Sequence, residues 1–202
     1  MAWMDGEYAL VLFPTRQGII SGFDPAIELG IGAMIQTSDR PTAENTFGTV
    51  ENLLLWSFPI SIEPRTVNGE SVVSWESDID LSQADDSYFS RGWVTDDTLA
   101  ITDGIGPMAE LINPQPYEPL TEHSTFRTAT QSFPHPNYGY FYINMGSTLS
   151  LIYPSLRLNP GDPDMIEFKR FLGSLYSLSA TVSSTADYAQ ANFLVVLAPA
   201  RN

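Results

Sequence analysis

Carboxylates crowd one stretch in the middle of the chain and are the residues with the clearest capacity for chemistry. Seven acidic side chains lie between positions 76 and 97: Glu76, Asp78, Asp80, Asp85, Asp86, Asp96 and Asp97. Calcium takes six to eight oxygen ligands, and clustered carboxylates can supply them. The candidate metal ligands are the four aspartates of the densest group: Asp78, Asp80, Asp85 and Asp86.

The spacing that begins at Asp78 does not follow the EF-hand pattern. Gln83 stands where an EF-hand loop needs glycine, and Phe89 stands where it needs glutamate. The stretch is therefore predicted to be a solvated acidic loop, with calcium binding at the four aspartates as the alternative.

Histidine is scarce, and neither copy has obvious partners. His123 and His135 lie in loop or proline-flanked sequence. In an acid–base or metal site a histidine converges with other functional groups, and the sequence near these two histidines supplies no such group. Both are interpreted as surface or packing residues. The sequence also lacks a nucleophile elbow and a phosphate loop, so we assign no catalytic residue, no cofactor-binding residue and no cofactor.

Tyrosines alternate along one predicted strand and offer a second candidate site. Tyr138, Tyr140 and Tyr142 share a face there and could form a stacking platform for a sugar or a pigment. Tyrosine is also common in strands and packs well across them, so a structural role is favoured.

Up to about Leu55, the sequence predicts two strands, a loop between them and a helix. Residues 7–13 are apolar on both faces, which predicts a central strand, and residues 15–30 are interpreted as a loop. Residues 31–37 alternate as a strand. Asp39 is a helix cap followed by Pro41, and an apolar stripe predicts a helix to about Leu55.

Turn residues then define two hairpins. Asn68-Gly69 favours a tight type I′ turn, and Pro64 predicts an edge or bulged strand. A second hairpin is predicted around Asp96-Asp97, between irregular residues 76–90 and a short helix over 104–112. Three prolines within 113–119 predict an extended connection.

The second half ends in a long predicted hairpin. Helices are predicted over 122–132, 148–158 and 162–172, and a strand over 138–145. Strands over 176–182 and 189–197 follow, and we expect Phe193, Val195 and Leu197 to lie in the core.

These elements predict an α+β fold, a mostly antiparallel sheet with helices packed on one face. We expect one domain over 1–202 with possible sub-modules 1–112 and 120–202. A strand, a helix and a hairpin recur in the same order in both halves, which suggests two similar modules.

Charge excludes several classes of partner. The chain has 24 acidic and nine basic residues, and its net charge is −15. Such a surface repels phosphate backbones and anionic lipid headgroups, so neither nucleic acid nor electrostatic membrane docking is expected. Cysteine is absent, which removes disulfides, thiolate zinc sites and thiol nucleophiles.

Five phrases spread along the chain resemble one family. They are Trp3–Leu10, Ser38–Arg40, Gly104–Met108, Tyr140–Gly146, and Ser179–Thr181 with Thr185–Tyr188. In this order they resemble the C-terminal part of the cyanobacterial domain-of-unknown-function family 3352. The resemblance implies a longer parent protein with a hydrophobic anchor or signal, facing the periplasm or the thylakoid lumen. It transfers no catalytic residue.

Function is then expected to be binding rather than catalysis. The leading hypothesis is a non-catalytic extracytoplasmic module, a fragment of an anchored or exported protein, that binds another envelope or thylakoid protein. One alternative is a hydrolase acting on a glycan or ester through two converging carboxylates, of which no pair is singled out. Another is a carrier of a small apolar ligand. The sequence does not define the oligomeric state.

Overall fold

The computed structural model describes residues 6–15, 28–77, 87–113, 119–155 and 163–198. It divides into two compact units, an N-terminal unit of Met1–Tyr117 and a C-terminal unit of Glu118–Asn202. Each contains an antiparallel sheet and helices that pack against it. The predicted α+β class is confirmed.

A six-stranded antiparallel sheet forms the N-terminal unit. Its strands are β1 (Tyr8–Pro14), β2 (Leu29–Gln36), β3 (Ile60–Val67), β4 (Glu70–Ser77), β5 (Ser87–Trp93) and β6 (Thr98–Thr102). They lie side by side in the order β1-β2-β6-β5-β4-β3. The predicted hairpins are present as β3–β4 and β5–β6, and β3 is an edge strand, as Pro64 predicts.

Helix α1 (Arg40–Ser57) begins at the cap that the sequence predicts. A carboxylate oxygen of Asp39 accepts a hydrogen bond from the backbone N–H of Thr42 at 3.0 Å, which satisfies one free donor of the first turn. The helix buries Ala43 and half-buries Phe47, which pack with Ile35 and Ile101 of the sheet. Burial of this apolar stripe holds α1 on one face of the sheet.

Helix α2 (Ile105–Leu111) covers the opposite face. Ala100 packs with Met108 and Ile112, whereas its neighbour Ile101 packs with the α1 side. Because successive residues of a strand point to opposite faces, the two helices lie on different sides. Helices therefore cover both faces of the six-stranded sheet, whereas the sequence predicts helices on one face only. Gly92 permits this packing, since a Cβ there would meet Ile112 Cδ1 at 2.5 Å.

The turn between β3 and β4 has the predicted type I′ geometry. Asn68 has φ of 49° and Gly69 has φ of 88°, so both central residues adopt the left-handed conformation that this turn requires. The Asn68 side chain also donates to the carbonyl oxygens of Ala109 and Ile112, at 2.9 and 2.8 Å. The turn thereby fastens the hairpin to the end of α2.

Strand β1 is not the central strand that its sequence predicts. It lies at the edge of the sheet, and Tyr8, Leu10 and Leu12 are exposed. Apolar residues on both faces of a segment are typical of a central strand, but they do not themselves provide a neighbour on each side. Leu29 and Gly30, predicted to be loop, belong to β2. Residues 76, 77 and 87–90, predicted to be irregular, belong to β4 and β5.

The C-terminal unit has a three-stranded antiparallel sheet in the order β7-β8-β9. Its elements are α3 (Ser124–Thr130), β7 (Tyr140–Asn144), α4 (Met145–Ser155), α5 (Pro163–Gly173), β8 (Leu175–Ser184) and β9 (Ala189–Leu197). Helix α4 begins three residues before its predicted start. β7 pairs directly with the β8–β9 hairpin, whereas β2 is separated from the β3–β4 hairpin by two strands. The two halves share the order of their elements but not their pairing.

The covered face of this second sheet is lined by small polar residues. Ser177, Ser179 and Thr181 of β8 are buried, and Ser179 Oγ donates to the carbonyl of Ala129 in α3 at 2.7 Å. Rings add to the contact, because Phe126 of α3 meets Tyr142 edge to face. Hydrogen bonds and aromatic contacts therefore join α3 to the sheet.

The other face of the same sheet is apolar and exposed, which contradicts the burial that the sequence predicts. Phe193 is 80% exposed, and Val195 and Leu197 are also exposed. Leu194 and Val196 of β9 are apolar as well, and their pairing with Ser179 and Ser177 places them on the face that α3 covers. The fold class is unchanged, but the core of this unit lies on the other side of β9.

Candidate functional site

A buried arginine joins α1 to the six-stranded sheet and forms a polar cluster in the N-terminal unit. Arg91 of β5 is 8% exposed at its side chain, and its Nε lies 2.7 Å from Glu51 Oε1. Its Nη1 lies 2.9 Å from Oε2 of Glu44. Glu44 and Glu51 are seven residues apart on one face of α1, so a single guanidinium pairs with both carboxylates.

Aromatic side chains complete the cluster. The indole N–H of Trp75 donates to Glu51 and that of Trp93 donates to Glu44. The Arg40 guanidinium lies 4.4 Å from the centre of the Trp93 ring, a cation–π distance. Both carboxylates therefore have hydrogen-bond donors, and the arginine has a partner on each side.

This cluster does not have the electrostatics of a general acid. Burial raises the pKa of Glu44, but the hydrogen bond from Trp93 and the charge and hydrogen bond of Arg91 outweigh it, so the net pKa is lowered. A general acid in a hydrolase needs a raised pKa. The Glu44–Arg91–Glu51 arrangement is suited to fastening α1 to the sheet.

Sequence reasoning missed this cluster because its members are far apart in the chain. Arg91 is 47 residues from Glu44 and 40 from Glu51. One signal was available: Glu44, Phe47 and Glu51 follow helical spacing beside the apolar stripe, which places two carboxylates towards the packed side of α1.

His123 takes part in a short hydrogen-bond chain on the C-terminal unit. The Tyr142 hydroxyl donates to Thr125 Oγ1 at 2.7 Å, and that oxygen lies 2.6 Å from Nδ1 of His123. Thr125 Oγ1 accepts from tyrosine and makes a second hydrogen bond with the imidazole, in which the histidine tautomer determines the donor. The chain fixes the start of α3 against β7.

The three tyrosines of the predicted stacking platform do not share one environment. Tyr140 contacts Phe126 and stacks on Phe133, while Tyr138 is exposed. His135 Nε2 lies 3.4 Å from the Tyr140 hydroxyl. Tyr140 and Tyr142 thus pack against α3 and the segment that follows it, which is the structural role that the sequence favours.

The predicted metal ligands Asp78, Asp80, Asp85 and Asp86 lie outside the described residues. Within the described ranges, no group of three or more histidine or acidic side chains is placed to hold a metal ion. Nor does any helix in those ranges have the length and apolar character to cross a membrane.

The feature that points most directly to a function is the exposed face of the three-stranded sheet. We call it the apolar face and define it by nine residues that share one side of β7, β8 and β9: Phe141, Ile143, Leu178, Ala180, Val182, Ala191, Phe193, Val195 and Leu197. Phe141 is 59% and Val195 is 54% exposed. No charged residue occurs anywhere in the three strands.

Burial in this sheet is inverted relative to side-chain polarity. Helix α3 covers a face whose central strand presents Ser177, Ser179 and Thr181. On the apolar face six of the nine residues are exposed, and Ile143, Leu178 and Ala180 are half-buried. A strand rise of about 3.4 Å and a strand spacing of about 4.8 Å give this face roughly 400 Å². Exposed apolar patches of a few hundred Å² mark interaction sites.

Comparison with known proteins places the chain in a family. A family model described as "Protein of unknown function (DUF3352)" matches residues 1–197. The chain belongs to the DUF3352 family. Searches of the curated proteins and of the solved structures return no match. The description of DUF3352 contains no activity.

Proposed function

We propose that this chain is a non-catalytic binding or assembly module that docks a partner protein on its apolar face. The observation that carries the proposal is the inverted burial of the three-stranded sheet, in which most of the apolar face is exposed while Ser177, Ser179 and Thr181 are buried. Leaving Phe193 and Val195 in water costs free energy that a partner surface would recover.

A protein suits this face better than a lipid surface does. The chain has a net charge of −15, which repels anionic headgroups and opposes approach to a membrane. The strands themselves are uncharged, and sheets pack against other apolar protein surfaces about 10 Å away.

The proposal includes a location. We infer that the chain works outside the cytoplasm, at a periplasmic or thylakoid-lumenal membrane surface, as the C-terminal part of a longer anchored or exported cyanobacterial protein. Support comes from the family resemblance of its five phrases. The partner is then an envelope or thylakoid protein exposed to the same compartment, a condition that a second copy of this chain also meets.

The test is affinity purification of the tagged full-length protein from its native membrane, with two matched variants. Val195→Lys places a charge in the apolar face, at a residue that is already exposed. Leu12→Lys places the same charge on exposed strand β1 of the other unit. We expect one stoichiometric partner with the wild type and Leu12→Lys, and at least tenfold less of it with Val195→Lys.

Two outcomes would contradict the proposal. The first is equal recovery of the partner by Val195→Lys and the wild type. The second is recovery of no partner together with turnover of a glycan or an ester by the purified protein, which would favour the hydrolase.

A further inference from the structure

We propose that the occupant of the apolar face is a second copy of this chain, so that two three-stranded sheets pack face to face around a two-fold axis. This inference rests on the proposed function and names its partner. The charge distribution, the profile of the face and its area support it.

Charge is divided unequally between the two units. Residues 1–117 contain 18 acidic and four basic side chains, whereas residues 118–202 contain six acidic and five basic ones. Two copies that met through their N-terminal units would bring strongly negative surfaces together. The C-terminal unit is nearly neutral, and β7, β8 and β9 contain no charge, so a two-fold contact there brings no like charges into register.

The profile of the face suits a copy of itself. Phe141, Ala180 and Phe193 lie side by side across the three strands, so a small residue separates two protruding rings. A phenyl ring of one copy can fill the space above Ala180 of the other. Sheets with the same twist pack with their strands about 30° apart, which two identical sheets satisfy by symmetry.

Area predicts the strength of this contact. Two faces of roughly 400 Å² bury about 800 Å² in total, which is below the 1,200–2,000 Å² or so of stable interfaces. Apolar burial offsets the cost of association by only a small margin at this size. The dimer is therefore expected to be reversible, with a Kd of about 1–100 µM.

Sedimentation velocity of the full 202-residue chain tests the proposal over roughly 1–300 µM, a range that brackets this Kd. We expect the weight-average mass to rise from that of a monomer towards that of a dimer, and no further. A monomer at every concentration would overturn the proposal, and so would an open series of larger species.

Two variants localise the contact. Val195→Lys should raise the dimer Kd at least tenfold, because the charge must lose its water in the interface. Leu12→Lys should leave the Kd within twofold. Circular dichroism and thermal unfolding of each variant establish that the fold is kept. A dimer that survives Val195→Lys but dissociates in Leu12→Lys would place the contact on β1 and refute the proposal.

A cross-link gives a second readout that adds no charge to the contact. The chain has no cysteine, so Ala180→Cys introduces a single thiol at the centre of the apolar face. Facing sheets lie about 10 Å apart, too far for a disulfide and suited to a short bismaleimide. We expect covalent dimers with Ala180→Cys and few with Leu12→Cys. Equal cross-linking of the two variants would contradict the arrangement.

The two proposals can fail separately. A monomeric chain whose Val195→Lys variant still loses a captured protein would refute self-association and support a different partner. A dimer whose Val195→Lys variant captures the same foreign protein as the wild type would support self-association and remove that protein from the apolar face.

Discussion

Nε of Arg91 lies 2.7 Å from Oε1 of Glu51, at the point where helix α1 crosses the six-stranded sheet. The same oxygen accepts the indole N–H of Trp75, so one carboxylate links two neighbouring strands to the helix. A buried arginine with one carboxylate on each side costs desolvation that is offset only while every partner is present. Arg91 is therefore expected to contribute strongly to the stability of the N-terminal unit.

Arg91→Ala should destabilise the fold strongly. The change removes the guanidinium from a side chain that is 8% exposed and leaves Glu51, 12% exposed, without its cation. Breaking a buried ion pair from one side costs about 3–5 kcal/mol. Chemical denaturation, followed by circular dichroism, measures this loss in the free energy of unfolding.

Arg65→Ala is the matched control. Arg65 donates two hydrogen bonds to Glu76, but its side chain is 47% exposed. Water screens such a pair, so we expect a clearly smaller loss in the free energy of unfolding than with Arg91→Ala. Equal losses for the two variants would show that burial of the Arg91 cluster has no special effect.

Glu44→Gln should change how stability depends on pH. The pKa of Glu44 is lowered in the fold, so its carboxylate stabilises the folded chain at pH above the ordinary value of 4.5. That contribution is lost as the pH falls through the lowered pKa. Because the side chain is 40% exposed, the contribution at about pH 7 is at most about 1 kcal/mol.

The measurement is urea denaturation of the wild type and Glu44→Gln at about pH 7 and at about pH 3. We expect the difference in unfolding free energy between them to shrink towards zero at the lower pH. Glu122→Gln, at an exposed residue outside the cluster, serves as the control. A difference that grows on acidification would reverse the assigned sign.

Local chemistry is what the sequence predicts well. The Asp39 cap requires only a carboxylate three residues before a free N–H, and the Asn68-Gly69 turn requires only two residues that tolerate positive φ. Both features depend on a few neighbouring residues, so short patterns suffice to find them.

Coverage of a face is not predicted in this way. Alternation places Phe193 with Val195 and Leu194 with Val196, but both pairs are apolar and periodicity does not say which pair the helices cover. The Arg91 cluster is not predicted for a related reason, since no local pattern links residues that are 40 or more positions apart. Tertiary contacts determine the site and the apolar face.

Two glycines should respond in opposite directions to the same added methyl group. A Cβ at Gly69 or at Gly48 would meet nothing within 4 Å, so crowding plays no part at either position. Gly69 has φ of 88°, and alanine there should cost about 1–2 kcal/mol. Gly48 lies inside α1, and alanine there should add about 0.5–1 kcal/mol.

Thermal unfolding of Gly69→Ala and Gly48→Ala provides the comparison. The midpoint should fall in the first variant and rise in the second. Two shifts of the same sign would show that backbone conformation at the turn does not govern the response.

Two serines of β8 provide a similar pair on the covered face of the second sheet. Ser177 and Ser179 are both buried, but Ser179 Oγ donates to the carbonyl of Ala129, whereas Ser177 Oγ has no hydrogen-bond partner among the described residues. A buried hydroxyl without a partner costs about 1–3 kcal/mol of desolvation. Ser177→Ala removes that cost and loses no hydrogen bond, so the free energy of unfolding should stay unchanged or rise by up to about 1 kcal/mol.

Ser179→Ala should lower the free energy of unfolding by about 1–2 kcal/mol, because it removes the hydrogen bond that the buried carbonyl of Ala129 accepts from Ser179. Urea denaturation of the two variants measures both effects against one wild-type curve. Each substitution removes one oxygen atom, and the two serines are neighbours on the same face. The cavities that the two substitutions leave therefore differ little in size. A larger loss at Ser177 than at Ser179 would mean that the Ser177 hydroxyl is paired, and that the covered face is held together differently from the arrangement described above.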